Sequence, residues 1–127
     1  MVDDASDVGR HKTNSEIRRW YLDRISTIME LNQVWIRQGL SARDRAERAW
    51  RVRREARRAA RTMMADKRER EQLRARDLKK FGSPDGPSFE FLIARLKHAG
   101  LEGDAAYEAI IDGSYRTDMA IDRLLGL

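Results

Sequence analysis

An all-α fold is what this sequence predicts: a compact bundle of about five or six helices, one of them long, arginine-rich and bent. Three observations carry that reading. Apolar side chains recur at three- and four-residue steps through most of the chain, the pattern of a helix with one buried face. No segment alternates apolar and polar residues as a half-buried strand does. Between Ser41 and Phe81 there is neither glycine nor proline, so about forty residues carry unbroken helical propensity.

The first helix is expected from near Ser15 to about Gln38, with a stripe of Ile17, Tyr21, Ile25, Ile28, Leu31 and Trp35. Trp20, Leu22, Met29 and Ile36 widen that stripe, and Gly39 is placed as a C-cap. Ser41 opens the second helix as its N-cap, with Asp44 in the first turn beside the positive helix end. Its stripe of Ala49, Val52, Ala56, Ala60 and Met63 is nearly all small, which permits close approach of a neighbouring helix. A forty-residue rod suits a compact domain poorly, so a bend is expected near Ala65 and Asp66, followed by a piece carrying Leu73 and Leu78.

The segment FGSPDGP then stops the helix: Gly82 is a C-cap candidate, Ser83 to Gly86 has β-turn composition, and Pro87 bars continuation. Ser88 starts a helix with Phe89, Leu92, Ile93 and Leu96 facing the core and Gly100 at its end. A further helix carries Tyr107, Ile110 and Ile111, and Thr117 caps a last short one. The domain reading is a flexible arm or linker over 1–14 and a single helical domain over 15–127.

Of the 127 residues, 41% are hydrophobic and 37% charged, which fits a thin core under a busy surface. The absence of cysteine excludes disulfides, thiolate catalysis and a Cys-based zinc site. No apolar run approaches the roughly 20 residues that span a bilayer, and the first fifteen residues lack the apolar core of a signal peptide. The net charge of +5 conceals a block: residues 41–80 carry sixteen basic and seven acidic side chains, whereas 1–40 are balanced and 81–127 are net negative. Such a block suits a polyanionic partner. It equally suits a solvated helix face in a chain that favours arginine.

On a helical wheel Arg51, Arg54, Arg58 and Arg61 fall opposite the small-residue stripe, while Arg53 and Arg57 flank its edge. An arginine beside a packed surface needs a carboxylate or phosphate partner. Acids stand at Asp77, Asp85 and Glu90 around the turn and at Glu55 within the arginine helix. With only His11 and His98 available, a metal site would be built from carboxylates and suit magnesium or manganese. Arg76 and Asp77 lie about two turns before SPDGP and could face it, or Asp77 could pair with an arginine one turn away. Ser114, Arg116 and Thr117 form a hydroxyl-rich helix start suited to a phosphate, with ordinary capping by Thr117 as the alternative.

Three stretches, ERAWRVRREARRAARTMM, LRARDLKKFGSPDGPSFEFL and GDAAYEAIIDGSYRTD, together with a Leu-Gly ending, resemble a C-terminal domain of bacterial Rhs-type polymorphic toxins. The resemblance covers about residues 30–127, and the residues matching its motif are Arg57, Arg61, Arg76, Asp77, Pro84, Asp85, Gly86, Tyr107, Ser114, Arg116 and Thr117. It implies an effector domain secreted within a larger protein, often by type VI secretion. Such a domain would act in the recipient bacterial cytoplasm and be neutralised in the producer by an immunity protein. It also implies a histidine within the arginine helix, near Arg54 here; this chain has none, so a histidine-based mechanism is not expected.

The expectation that results is a toxin acting on DNA or RNA by phosphodiester cleavage. Asp77 or Asp85 would bind a divalent cation or position water, Arg57, Arg61 or Arg116 would stabilise phosphoryl charge, and Arg76 is a further catalytic candidate beside Asp77. Arg53, Arg54 and Arg58 would bind phosphates. The alternative is a non-catalytic basic helical module that binds nucleic acid or a partner protein.

Overall fold

The computed structural model describes residues 12–113, which form five helices and, among the described residues, no strand. They are α1 (Asn14–Arg37), α2 (Ala42–Thr62), α3 (Lys67–Phe81), α4 (Phe89–His98) and α5 (Asp104–Asp112). Among the described residues no helix is long and apolar enough to cross a membrane.

Helix α1 begins at Asn14, one residue before the expected Ser15, with Thr13 as its N-cap. The Thr13 hydroxyl accepts from the Glu16 amide and the Glu16 carboxylate accepts from the Thr13 amide, a reciprocal capping box that satisfies two otherwise orphaned donors. The Lys12 amide donates to the Met63 carbonyl at the far end of α2, so the expected arm is already part of the domain by residue 12. Helix α1 buries Ile17, Tyr21, Ile28, Asn32 and Trp35. Leu22, Met29, Leu31 and Ile36 stay exposed, because only one side of α1 is covered and they lie beyond its edge. Asn32 takes the place expected for Leu31 and accepts from Arg45 Nη1 at 2.9 Å.

Helix α2 is the hub, packing on both α1 and α5. Ser41 caps it as the sequence suggests, accepting from the Asp44 amide. Ala46, Ala49, Ala56 and Ala60 are all buried, and their small side chains let α1 and α5 come close. Two apolar clusters share α2. Ala46, Ala49 and Trp50 join Ile28, Trp35, Leu92 and Ile110 in one cluster. Ala56, Ala60 and Met63 join Ile17, Tyr21 and Leu73 in the other.

The expected bend is a complete break. Met63 and Met64 turn inward, and Asp66 restarts the chain as N-cap of α3 by accepting from the Glu69 amide. Helix α3 buries Leu73, Asp77 and Phe81, one residue per turn, which leaves Leu78 outside. Gly82 ends it in the left-handed conformation at φ +73°, and Ser88 caps α4. The turn between α3 and α4 is thereby held at both ends and laid across α2.

Candidate functional site

The site is the contact between the 82–87 turn and the arginine face of α2. Residues 50, 54, 57, 58 and 61 of α2 lie on adjoining ridges of one helix side. The turn runs along that side in the opposite direction. Arg61 Nη1 donates to the Pro84 carbonyl at 2.8 Å, and Trp50 Nε1 donates to the Pro87 carbonyl at 3.0 Å, eleven residues back along the helix. Between them Gly86, at φ +89°, comes so near Arg57 that a Cβ there would lie 2.0 Å from Nη1. Only glycine fits.

Beneath the turn is a buried ion cluster. Asp77 Oδ2 stands 3.0 Å from Arg57 Nη2 and 2.6 Å from Arg61 Nη2, and all three side chains are 3% exposed or less. Arg76 approaches Asp77 Oδ1 at 3.9 Å from the half-exposed side. Burial pulls the Arg57 guanidinium down to about 10 despite the Asp77 charge, which leaves it a cation at neutral pH. Burial likewise lowers Arg61, against the support of Asp77. Arg53, one turn back, donates Nη2 to the Ile111 carbonyl at 3.1 Å and packs against Gly113, fixing the end of α5.

Above the turn is a second, open cluster. Arg58 presents Nε and Nη2 to Asp85 Oδ2 at 3.1 and 2.7 Å, and Arg74 Nη1 lies 3.5 Å from Oδ1. Arg54 Nη2 donates to Ser83 Oγ at 2.8 Å. Burial pushes the Asp85 carboxyl up, but the hydrogen bonds and charge of Arg58, with Arg74 and Arg54 behind it, outweigh burial and hold it below its ordinary value. Beside this cluster a cleft of about 300 Å³ opens, lined by Trp50, Phe89, Arg51, Arg54 and Arg58, with Glu47 and Glu55 opposite in sign.

The sequence-predicted residues therefore divide. Arg57, Arg61, Arg76 and Asp77 come together, but as an internal ion cluster in which the Asp77 carboxylate faces guanidiniums. Arg61, placed outward by the helical wheel, is 2% exposed: α2 is covered by the turn as well as by α1 and α5, and the wheel assumed one covered face. Arg53 is spent on the α5 terminus. Asp85 is 7% exposed, held by the exposed Arg58, with the half-buried Arg54 one turn along α2. Glu90 points elsewhere, to Arg43 at 2.8 Å, whose guanidinium also donates to the Tyr107 hydroxyl and lies over the Phe89 ring. His98 is exposed at the end of α4. Among the described residues no three histidine or acidic side chains gather as metal ligands would. His11, Ser114, Arg116 and Thr117 lie outside the described residues. Arg74 and Ser83 were not foreseen; an arginine one turn before Asp77 and a serine opening the turn were the available signals.

No protein-family model, curated protein or solved structure matches the chain.

Proposed function

We propose that the chain is a basic helical module that binds the phosphates of nucleic acid through the arginines of the open cluster and its cleft: Arg51, Arg54, Arg58 and Arg74. One observation carries this reading. Once the internal pairs are assigned, three arginines at the open cluster face a single carboxylate, Asp85, and Arg58 and Arg74 are 63% and 48% exposed. An uncompensated guanidinium cluster at a surface attracts phosphate and gives it bidentate donors.

Binding of a labelled oligonucleotide, followed by fluorescence anisotropy between about 50 and 200 mM salt, tests this. Affinity is expected to fall steeply with salt. Combining Arg51→Gln with Arg58→Gln is expected to weaken binding about tenfold or more and to flatten the salt slope by about one per arginine. Absence of binding at the lowest salt would overturn the reading.

The second reading is the phosphodiesterase effector that the Rhs resemblance implies, acting in a recipient cell and restrained by an immunity protein. What supports it is the placement of Asp85, the one acid of the turn, between Arg58 and Arg74, with Arg58 also lining the cleft. Incubation with DNA and RNA in magnesium or manganese separates the two: cleavage lost in Asp85→Asn favours the enzyme, and intact strands with retained binding leave the module alone.

A further inference from the structure

The contacts of Asp85 are those a phosphate group would make. Arg58 offers one oxygen the side-on Nε and Nη2 pair, and Arg74 approaches the other oxygen from α3. Arg54 stands one turn along α2; it holds Ser83, and its buried Nε makes no hydrogen bond. Three guanidiniums around one carboxylate leave the seat net positive, with Glu55 as a countercharge on the cleft side of Arg58. The adjoining cleft adds an apolar floor from Trp50 and Phe89 and carries Glu47 and Glu55 on its walls.

We propose that Arg54, Arg58 and Arg74 form a seat for a terminal phosphate, the phosphomonoester at a nucleic acid strand end, and that the Asp85 side chain fills this seat as an internal stand-in. The proposal rests on the nucleic-acid reading above and names which part of the strand is recognised. Charge supplies the selectivity. A backbone diester carries one negative charge, so exchanging it for the Asp85 carboxylate gains nothing against the arginines. A monoester near neutral pH carries up to two, its second ionisation lying near 6, so the exchange gains a full charge. Glu47 and Glu55 repel any further phosphates along the cleft, which suits a strand that stops there. The cleft volume is at the lower end of those that hold small ligands, enough for a single terminal nucleotide.

Internally labelled strands of one sequence, ending in a 5′-phosphate, a 3′-phosphate or hydroxyls only, test the proposal by anisotropy at neutral pH. One phosphorylated strand is expected to bind about tenfold tighter than the hydroxyl-ended strand, the effect of one extra charge in a partly solvated pair. Asp85→Asn is expected to tighten all three strands alike and preserve the difference, and Arg74→Gln to abolish the difference, with circular dichroism confirming the helical fold of both variants. Equal affinity for all three strands overturns the proposal and leaves the nucleic-acid reading standing. Should no strand bind, titration with adenosine monophosphate decides. Saturable binding lost in Arg74→Gln keeps the phosphate seat and removes the nucleic-acid reading, and no binding removes both.

Discussion

Removing the Asp77 carboxylate would leave two buried guanidiniums facing each other. Arg57 and Arg61 are 1% and 2% exposed, and neither has room to swing into water. Breaking a buried pair from one side typically costs about 3–5 kcal/mol, because the surviving charge loses its compensation. Asp77→Asn is therefore expected to lower unfolding free energy by about that amount, measured in urea at unchanged m-value. Arg58→Gln, which removes a mostly exposed partner, is expected to cost under about 1 kcal/mol in the same assay. At this scale the sequence told part of the story. That Arg53 and Arg57 sit beside packed surface was readable from the wheel, and so was their need for a partner. Which partner each took was not, since Ile111 and Asp77 are brought to them by segments 58 and 20 residues away. Arg61 was misplaced for the same reason: its burial comes from the turn, which a wheel of α2 alone does not contain.

The turn between α3 and α4 depends on two glycines in different ways. Gly82 and Gly86 both have positive φ, but a Cβ at Gly82 would meet nothing within 4 Å, whereas one at Gly86 would strike Arg57. Gly82→Ala is thus expected to cost about 1 kcal/mol, the backbone penalty alone. Gly86→Ala is expected to cost clearly more, upward of about 2 kcal/mol, because Arg57 is pinned by Asp77 and cannot step aside cheaply. Thermal denaturation of the two variants side by side checks the order, and equal losses would show that Arg57 yields. Elements were the most legible level of this protein. Ser41, Gly82 and Ser88 act as their residue types suggest, since caps are local chemistry. The start of α1 was placed near Ser15, because Thr13, whose capping box with Glu16 sets it, fell in the stretch read as an arm. The partition of α1 into covered and bare sides was not legible, because it depends on how many neighbours the helix acquires.

Over the whole molecule, stability should follow the acid side of the pH scale through Asp85. Its folded carboxyl titrates below the ordinary 3.8, so the unfolded chain takes up the proton first as pH falls. The contribution is fully present above the unfolded value and is lost as pH drops through the folded one. Asp85→Asn lacks it. The wild type is expected to exceed the variant at pH near 7, with the gap narrowing as pH falls below the ordinary carboxylate range; a constant gap in melting experiments from neutral to strongly acid pH would refute the linkage. The arginine block was visible from the sequence at this scale as a sign and a location. Its division into internal and surface charge required the chain's return across α2.

Gly86, Arg57 and Asp77 belong to three successive segments, and each makes sense only with the other two. Glycine leaves the space that the guanidinium fills, the guanidinium reaches the carboxylate, and the carboxylate holds it under the glycine. Such a trio resists piecemeal drift. Any single exchange passes through a damaged intermediate, while an exchange of Arg57 and its carboxylate together for apolar groups of like volume can be neutral. Arg61 complicates even that route, since it shares the same oxygen of Asp77. Substitutions in a lineage of this domain would accumulate around the trio, and the three positions would hold or change as one inherited unit.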